Sequence, residues 1–194
     1  MIGLTGAVGC GKSTVLKFFI KMGWKAIDAD LVCIGLHEDP GSGIHSVLKS
    51  RWGKEVLLAD GTTNRKAVAE IVFGNPEERK WLEEILHPFI FRKIESEAAR
   101  LRGEGANIML DAPLLFESSL DDLTEKTVAV WSPFDIQLER LMNRGWSRDH
   151  AEKRIRSQLP AEKKLELADY GLINQSTLDD LEKQCIYLNR YLIS

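Results

Sequence analysis

The sequence contains few cysteines, no long hydrophobic run and no excess of positive charge. Its three cysteines, Cys10, Cys33 and Cys185, are odd in number and far apart, which argues against a disulfide framework and against a cysteine metal site. No apolar stretch reaches the roughly 20 residues that a membrane-spanning helix needs, and no basic leader precedes the first predicted strand. A formal net charge of −3 argues against non-specific binding of nucleic acid. We therefore expect a cytoplasmic protein that binds neither nucleic acid nor membranes.

What the chain does have is a regular alternation of short apolar runs and helical patterns. Its 194 residues, of which 44% are hydrophobic and 28% charged, suffice for one domain with a full core and an insertion. Five strands are predicted, over residues 1–5, 24–27, 107–111, 127–131 and 172–174. Strands that alternate with helices favour an α/β fold with a parallel sheet covered on both faces. A ligand is then expected at the carboxyl ends of the strands.

Between the second and third strands, the sequence predicts a mostly α-helical insertion. Apolar residues recur there at three- and four-residue spacing. Proline- or glycine-containing segments are predicted to break it at 40–43, 60–64 and 74–76, and the pair His87-Pro88 at a fourth place. After the fourth strand, Ser132 is predicted to cap a helix that starts at Pro133.

The clearest functional motif lies directly after the first strand. Residues 6–13 read GAVGCGKS and match G-x-x-x-x-G-K-[ST], the phosphate-binding loop known as Walker A. Its three glycines are expected to adopt positive φ, so that N–H groups at the start of the next helix approach an anion closely. Lys12 suits the terminal phosphates, and the Ser13 hydroxyl suits a Mg²⁺ ion. The alternative is a plain glycine-rich turn, but the strand before the motif and the helix after it favour a nucleotide site.

Carboxylates follow the next two strands, where phosphoryl transfer uses them. Asp28 and Asp30 come after the second strand and lie on the same side of it if the strand continues. Either one suits Mg²⁺ binding or acceptance of the proton of an attacking hydroxyl, and Asp30 is alternatively a helix cap. Asp111 ends the third strand in the Walker B position, although this pattern is also typical of an ordinary core strand.

A basic segment follows the fourth strand. Between Arg140 and Lys164, eight basic residues accompany three acidic ones, a pattern that also fits a solvated helix face. Arg140 and Arg144 share one face of a predicted helix. An arginine delivered by a closing lid stabilises the charge that develops during phosphoryl transfer. Arg140 is the preferred catalytic contact because it lies nearest to the sheet.

Two further residues have simple structural explanations. Packing or capping explains His87, which lies before a proline in the insertion, better than catalysis does. Cys10 lies at a helix N-terminus, where the pKa of a thiol can fall. A small side chain that points away from the phosphates explains it better.

With these motifs in order, the sequence resembles the dephospho-CoA kinase family from Gly3 to about Gln184. The segments that carry the resemblance are the phosphate loop, Asp28-Ala29-Asp30, Asn64-Arg65, LEEILHP at 82–88, DAPLLFE at 111–117, QLERL at 137–141, Arg154 with Gln158, ADY at 168–170 and Ile173-Asn174. The phosphate loop alone indicates only an NTPase. The Leu-His-Pro and Pro-Leu-Leu-Phe-Glu segments, in this order, are far more specific.

The resemblance implies an architecture and a reaction. The architecture is a P-loop kinase core, with a five-stranded parallel sheet flanked by helices, plus a helical substrate-binding insertion and a helical lid. The core would cover residues 1–34, 104–142 and 161–194, the insertion 35–103 and the lid 143–160. The implied reaction is the ATP-dependent phosphorylation of the ribose 3′-hydroxyl of dephospho-CoA, the last step of coenzyme A synthesis, with Mg²⁺ as cofactor.

Carried over residue by residue, the resemblance assigns a role to each matching position. Asp30 would be the base that faces the ribose hydroxyl, and Lys12 and Arg140 would complete the catalytic set. The residues implied to bind ATP are Gly9, Cys10, Gly11, Lys12, Ser13, Thr14, Arg144 and Asn174, with Ser13 also on the metal. Those implied to bind the acceptor are Thr5, Asp30, Arg65, His87, Pro113, Leu114 and Leu115.

Three departures from the family pattern leave the catalytic set intact. Ala7-Val8-Gly9-Cys10 stands where Gly-Ile-Gly-Ser is usual, and both swaps are small. Asn64 replaces the usual Asp before Arg65, which weakens any role for that carboxylate. Asn174 lies where the family contacts the ATP adenine, and Gln175-Ser176 follow it where the family has a glycine.

Other functions compete with this one. Another P-loop small-molecule or nucleotide kinase would share the loop and the lid, but not the insertion with its Leu-His-Pro segment. A GTP-dependent switch needs a guanine-reading Asn-Lys-x-Asp segment, which the sequence lacks. A non-catalytic nucleotide-binding module would not need the set Lys12, Ser13, Asp30 and Arg140.

Overall fold

The computed structural model describes residues 1–193 and divides the chain into two compact units. The sheet unit comprises Met1–Asp28 and the chain from Ala98 onward, and the helical unit comprises Ala29–Glu97. The strands are β1 (Ile2–Gly6), β2 (Lys25–Asp28), β3 (Ile108–Asp111), β4 (Lys126–Trp131) and β5 (Tyr170–Ile173). The helices are α1 (Lys12–Lys21), α2 (Ala29–Glu38), α3 (Ile44–Trp52), α4 (Arg65–Val72), α5 (Pro76–Gly103), α6 (Phe134–Met142), α7 (Arg148–Arg156), α8 (Ala161–Leu167) and α9 (Leu178–Leu192).

The sheet unit contains one five-stranded sheet in the order β2-β3-β1-β4-β5, with every adjacent pair parallel. This confirms the predicted fold class. The central strand β1 is buried along its whole length, as expected for a parallel strand with helices on both faces. Its position also places the phosphate loop, which follows Gly6, at the middle of the carboxyl edge of the sheet.

The core of the sheet unit forms where α1 and α9 pack against the strands. Val15 and Phe19 lie four residues apart on α1, so they share one helix face, and both are fully buried. Phe19 makes an edge-to-face contact with Trp24, with ring centroids 5.5 Å apart. The indole of Trp24 donates to Asn189 of α9 at 2.7 Å. These contacts fix the orientation of α1, and therefore of the loop that precedes it.

The helical unit has its own hydrophobic core. Its centre consists of buried residues from α3, the segment after it and α4, such as Leu48, Val56 and Val68. Trp52 and Trp81 meet edge to face at its periphery, with centroids 4.9 Å apart. A separate core allows this unit to hold its shape through its own contacts.

The predicted helix break at His87-Pro88 is wrong, because α5 continues through Pro88. A proline inside a helix removes one backbone hydrogen bond and strains the preceding turn. Here Leu86 and Ile94 on either side are buried, and the apolar spacing that packs this face is maintained across the proline. Packing therefore outweighs the local preference. With 28 residues α5 is long enough to span a membrane, but it carries many charged residues. Within residues 1–193, no helix is both long and apolar enough to cross a membrane.

The prediction for Asp28 and Asp30 also changes. β2 ends at Asp28 and α2 begins at Ala29, so Asp30 lies in the first turn of a helix. The two carboxylates therefore do not alternate along one strand. An acidic side chain in this first turn is stabilised by the helix dipole, which explains its place without reference to catalysis.

Candidate active site

The phosphate loop joins β1 to α1 in a conformation that needs two of its glycines. Gly9 has φ of +85° and Gly11 has φ of +94°, both in the left-handed region that favours glycine. A Cβ on Gly9 would lie 2.8 Å from the Gln137 carbonyl oxygen, and one on Gly11 would overlap the Asn174 amide. The loop is therefore held against α6 and against the end of β5.

The third glycine is needed for a different reason from the one expected. Gly6 does not adopt positive φ. It pairs with Val130 in the sheet, and a Cβ at Gly6 would lie 2.8 Å from the Val130 carbonyl oxygen. Gly6 is thus required by the close approach of β1 to β4, not by the curvature of the loop.

The loop presents the N-terminus of α1 at the sheet edge. A helix leaves the N–H groups of its first turn without intrahelical acceptors. The N-cap residue is Gly11, which has no side chain to cap them, and the first turn of α1 carries no acidic residue. The loop is closed by a bond from the Cys10 N–H to the Ala7 carbonyl at 3.0 Å. Donors and dipole together therefore favour an anion at this point.

Lys12 forms an ion pair with Asp111, the last residue of β3. Both side chains are largely buried, with relative exposures of 13% and 9%. β1 and β3 are adjacent and parallel, and Leu4 is in register with Asp111, so the carboxyl end of β3 lies beside the loop. Asp28 is in register with Asp111 in turn. The carboxylate at the Walker B position is therefore next to the lysine of the phosphate loop.

Arg140 and Asn174 brace the phosphate loop from the other side. The Arg140 guanidinium donates to the carbonyl of Gly9 at 3.3 Å and to that of Cys10 at 3.4 Å. It also donates to the side-chain oxygen of Asn174 at 3.1 Å. The Asn174 amide donates to the Cys10 carbonyl at 2.7 Å, and its side chain is buried. The turn that exposes the N–H groups is thus fixed through its carbonyl oxygens.

Ser132 completes this network and does not cap α6 as predicted. The N-cap of α6 is Pro133. The buried hydroxyl of Ser132 donates to the Asn174 carbonyl at 2.6 Å and accepts from Arg140 at 2.9 Å. Ser132 follows the end of β4 and Asn174 follows the end of β5, and these two strands are adjacent in the sheet. The proximity of the two residues therefore depends on the strand order, which the sequence did not reveal.

The remaining residues predicted to bind ATP occupy less constrained positions. Ser13 is exposed in the first turn of α1, and Thr14 follows it half-buried. Arg144 lies just beyond the end of α6 and is exposed. Direct contacts of these residues, and of Arg140 and Asn174, with a nucleotide stay a prediction.

Cys10 is the loop residue whose side chain lies in the hydrophobic core of the sheet unit. It is fully buried, and burial raises the pKa of its thiol to about 11. We expect iodoacetamide at pH 8 to label the partly exposed Cys33 and to leave Cys10 unmodified, since the Cys10 thiol is fully buried and its pKa is raised. Peptide mass spectrometry gives the labelling rates, and denatured protein, in which all three cysteines should react, is the control. Equal rates at Cys10 and Cys33 in the native protein would contradict this assignment.

On the acceptor side, the segment after β3 is tied to β1. The hydroxyl of Thr5, which is fully buried, donates to the Pro113 carbonyl at 3.1 Å. Leu115 is fully buried as well, whereas Leu114 is 41% exposed. Of these four residues predicted to bind the acceptor, Leu114 therefore offers the most accessible side chain, and Thr5 is engaged within the protein.

Three other predicted residues belong to the helical unit. The pKa of the Cys33 thiol is raised by burial first and then by Asp30, while Arg65 lowers it. Asp30 and Arg65 thus both lie within electrostatic range of Cys33. Asn64 is the N-cap of α4, with its side-chain oxygen accepting from the Ala67 N–H at 3.2 Å. Asn keeps the capping ability of the Asp that it replaces, and it places Arg65 at the first turn.

His87 packs within α5. Its ring lies 4.0 Å, between centroids, from that of Phe91, one turn along the helix. This contact fits the structural explanation given for His87 above, and a role toward the acceptor stays a prediction.

Comparison with known proteins agrees with this arrangement. The profile of the dephospho-CoA kinase family matches residues 1–180. The chain is 42% identical over 188 residues to the dephospho-CoA kinase of Halalkalibacterium halodurans, covering 96% of this chain and 93% of that one. The structure superimposes on a Thermus thermophilus crystal structure with a TM-score of 0.81 and 34% identity, covering 98% and 96% of the two chains. The dephospho-CoA kinase structure from Campylobacter jejuni gives a TM-score of 0.72 and 30% identity, with the same coverage.

These matches extend over nearly the whole chain, and the P-loop kinase fold, the loop and the carboxylate beside it are all in place. The protein therefore belongs to the dephospho-CoA kinase family.

Proposed function

We propose that this enzyme transfers the γ-phosphoryl group of ATP to the ribose 3′-hydroxyl of dephospho-CoA, giving coenzyme A and ADP. The observation that carries the proposal is the uncapped N-terminus of α1, with Lys12 held beside Asp111 at the carboxyl edge of the sheet. The family membership supplies the acceptor, because the geometry of the loop alone fits any triphosphate.

The loop would bind the phosphates through Gly9, Cys10, Gly11, Lys12, Ser13 and Thr14. Backbone N–H groups fixed before the ligand arrives need no reorganisation as charge develops on the transferred group. The bracing of the Gly9 and Cys10 carbonyls by Arg140 and Asn174 supports this fixed geometry. Arg144, exposed at the end of α6, is suited to a contact with the outer phosphate oxygens.

The residues present fit a magnesium ion. Among the residues that the structure describes, no three His, Cys, Asp or Glu side chains cluster to hold a metal. Mg²⁺ is instead typically bound through one or two protein oxygens together with phosphates and water. Ser13, which is exposed and follows Lys12 in the chain, and Asp111, which pairs with Lys12, both carry oxygen atoms that suit such an ion. When bound, the ion would neutralise phosphate charge.

On the acceptor side, Asp30 is proposed as the base that receives the proton of the ribose hydroxyl. Its side chain lies in the first turn of α2, and a carboxylate is a group that can accept the proton of an attacking hydroxyl. Arg65 and His87, together with Thr5, Pro113, Leu114 and Leu115, would line the acceptor. Arg65 is suited to an anionic group of that substrate.

The proposal is tested by supplying ATP labelled in the γ-phosphate with a panel of acceptors: dephospho-CoA, AMP and adenosine. We expect label in coenzyme A at the 3′ position, and much less in either of the other products. Transfer to AMP at the higher rate would favour a nucleotide kinase instead. ATP hydrolysis without transfer to any acceptor would overturn the proposed reaction.

A further inference from the structure

Lys164 is a lysine with no exposed side-chain surface. It lies on α8, and its ammonium donates to both carboxylate oxygens of Glu117, at 2.7 and 2.8 Å, and to the Pro113 carbonyl at 2.6 Å. A lysine ammonium has three protons to donate, and these three contacts match them. The sequence had placed Lys164 in the basic segment, next to the exposed Lys163, and nothing in the pattern separates the two.

The two residues that contact Lys164 are also bonded to other parts of the candidate active site. The Pro113 carbonyl also accepts from Thr5, at 3.1 Å. Glu117 also accepts from the N–H of Leu159, at 3.0 Å. The neighbouring Gln158 accepts in turn from the N–H of Val8 in the phosphate loop, at 3.0 Å. The segment between α7 and α8 is thereby attached to the loop after β3 and to the phosphate loop.

Burial of the Lys164 ammonium carries a desolvation cost, so the ion pair with Glu117 is poorly explained by folding stability alone. Burial disfavours the charged lysine and lowers its pKa, although Glu117 opposes that shift. A well-packed apolar pair in place of a buried ion pair is often as stable or more stable. What the ion pair adds is a fixed geometry. The Glu117 carboxylate and the Pro113 carbonyl must both lie within hydrogen-bond distance of the Lys164 ammonium, which restrains the conformation of the turn between them.

We propose that Lys164 is a positioning residue for the phosphate acceptor. It holds residues 113–117 in the conformation that binds dephospho-CoA. Through Glu117, it also keeps the segment between α7 and α8 in place beside these residues. The proposal rests on the proposed function, which assigns residues 113–115 to the acceptor.

The test compares Lys164→Met with Lys163→Met. Lys163 is adjacent, exposed and paired with Glu166 at the surface, so it controls for loss of a lysine from α8. We expect Lys164→Met to raise the KM for dephospho-CoA by about tenfold or more, while the Kd for ATP by calorimetry stays within about twofold. Lys163→Met should match the wild type in both. An unchanged KM for dephospho-CoA, or an equal loss of affinity for both substrates, would overturn the proposal.

A double variant separates positioning from stability. Lys164→Met with Glu117→Leu removes both charges, so thermal stability should return toward the wild-type value, while the KM for dephospho-CoA should stay raised. Recovery of that KM together with stability would mean that the pair is only structural. If the single lysine variant does not fold, Glu117→Gln provides the same comparison, with an expected rise of about threefold in KM and an overturning result if KM does not move.

The wild-type enzyme distinguishes failure of this inference from failure of the proposed function. If the wild type does not phosphorylate dephospho-CoA, the reaction is wrong and the inference falls with it. If the wild type transfers normally and Lys164→Met does so equally well, only the inference is wrong.

Discussion

Lys12→Ala is expected to lower kcat/KM for phosphoryl transfer by roughly a hundredfold to a thousandfold. This is the effect of removing one donor that stabilises charge in the transition state. Lys12 is the cation at the mouth of the phosphate loop, and its stem lies at the start of α1. Alanine is a good helix former, so α1 itself should persist. The measurement is steady-state transfer from labelled ATP to dephospho-CoA.

Because Lys12 pairs with Asp111, stability must be measured beside activity. The substitution removes one partner of a carboxylate that is only 9% exposed, which costs roughly 1–3 kcal/mol. A modest fall in melting temperature with a folded circular dichroism spectrum is therefore expected. Lys17→Ala, on the exposed side of the same helix, is the matched control and should keep full activity. A fully active Lys12→Ala enzyme would remove Lys12 from the catalytic set.

Asp30→Asn is expected to lower kcat by about a hundredfold or more, the range attributed to a lost general base. Asparagine has nearly the same size and is also accepted near helix N-termini, so α2 should form as before. The amide does not take up the proton of the ribose hydroxyl. ATP binding, which belongs to the phosphate loop, should stay within about twofold by calorimetry.

The control for Asp30 lies at the other end of the same helix. Glu38→Gln also removes one negative charge from α2, at an exposed position, and should leave kcat unchanged. A near-normal kcat for Asp30→Asn would show that another group accepts the proton. Equal losses in both variants would point to the net charge of the unit and not to a base.

The features predicted correctly from sequence are those that depend on neighbours along the chain. The phosphate loop is one contiguous stretch with its strand and helix on either side, so both its position and the role of Gly9 and Gly11 follow from local geometry. The alternation of strands and helices is likewise a periodic property. It predicted the parallel sheet of five strands that the structure contains, and the phosphate loop lies at the carboxyl edge of that sheet.

The predictions that were wrong concern places where distant packing decides. Pro88 is tolerated inside α5 because the helix face on both sides of it is buried. Ser132 does not cap α6 because Asn174 and Arg140, from other parts of the chain, compete for its hydroxyl. Gly6 needs no positive φ because the constraint comes from Val130 on the next strand. Local propensity is a weak prior against such contacts.

The sequence by itself determined the phosphate loop, the parallel sheet and the family, because each is written in residues close together or in a fixed order. Only the tertiary structure decided which charges are exposed and which are held inside. Lys163 and Lys164 are identical neighbours, yet the side chain of Lys163 is exposed, whereas that of Lys164 is fully buried against Glu117 and Pro113. The physical reason is that a charge can be buried only where partners for it lie nearby. The order of the strands brings those partners together, and the sequence pattern does not predict that order.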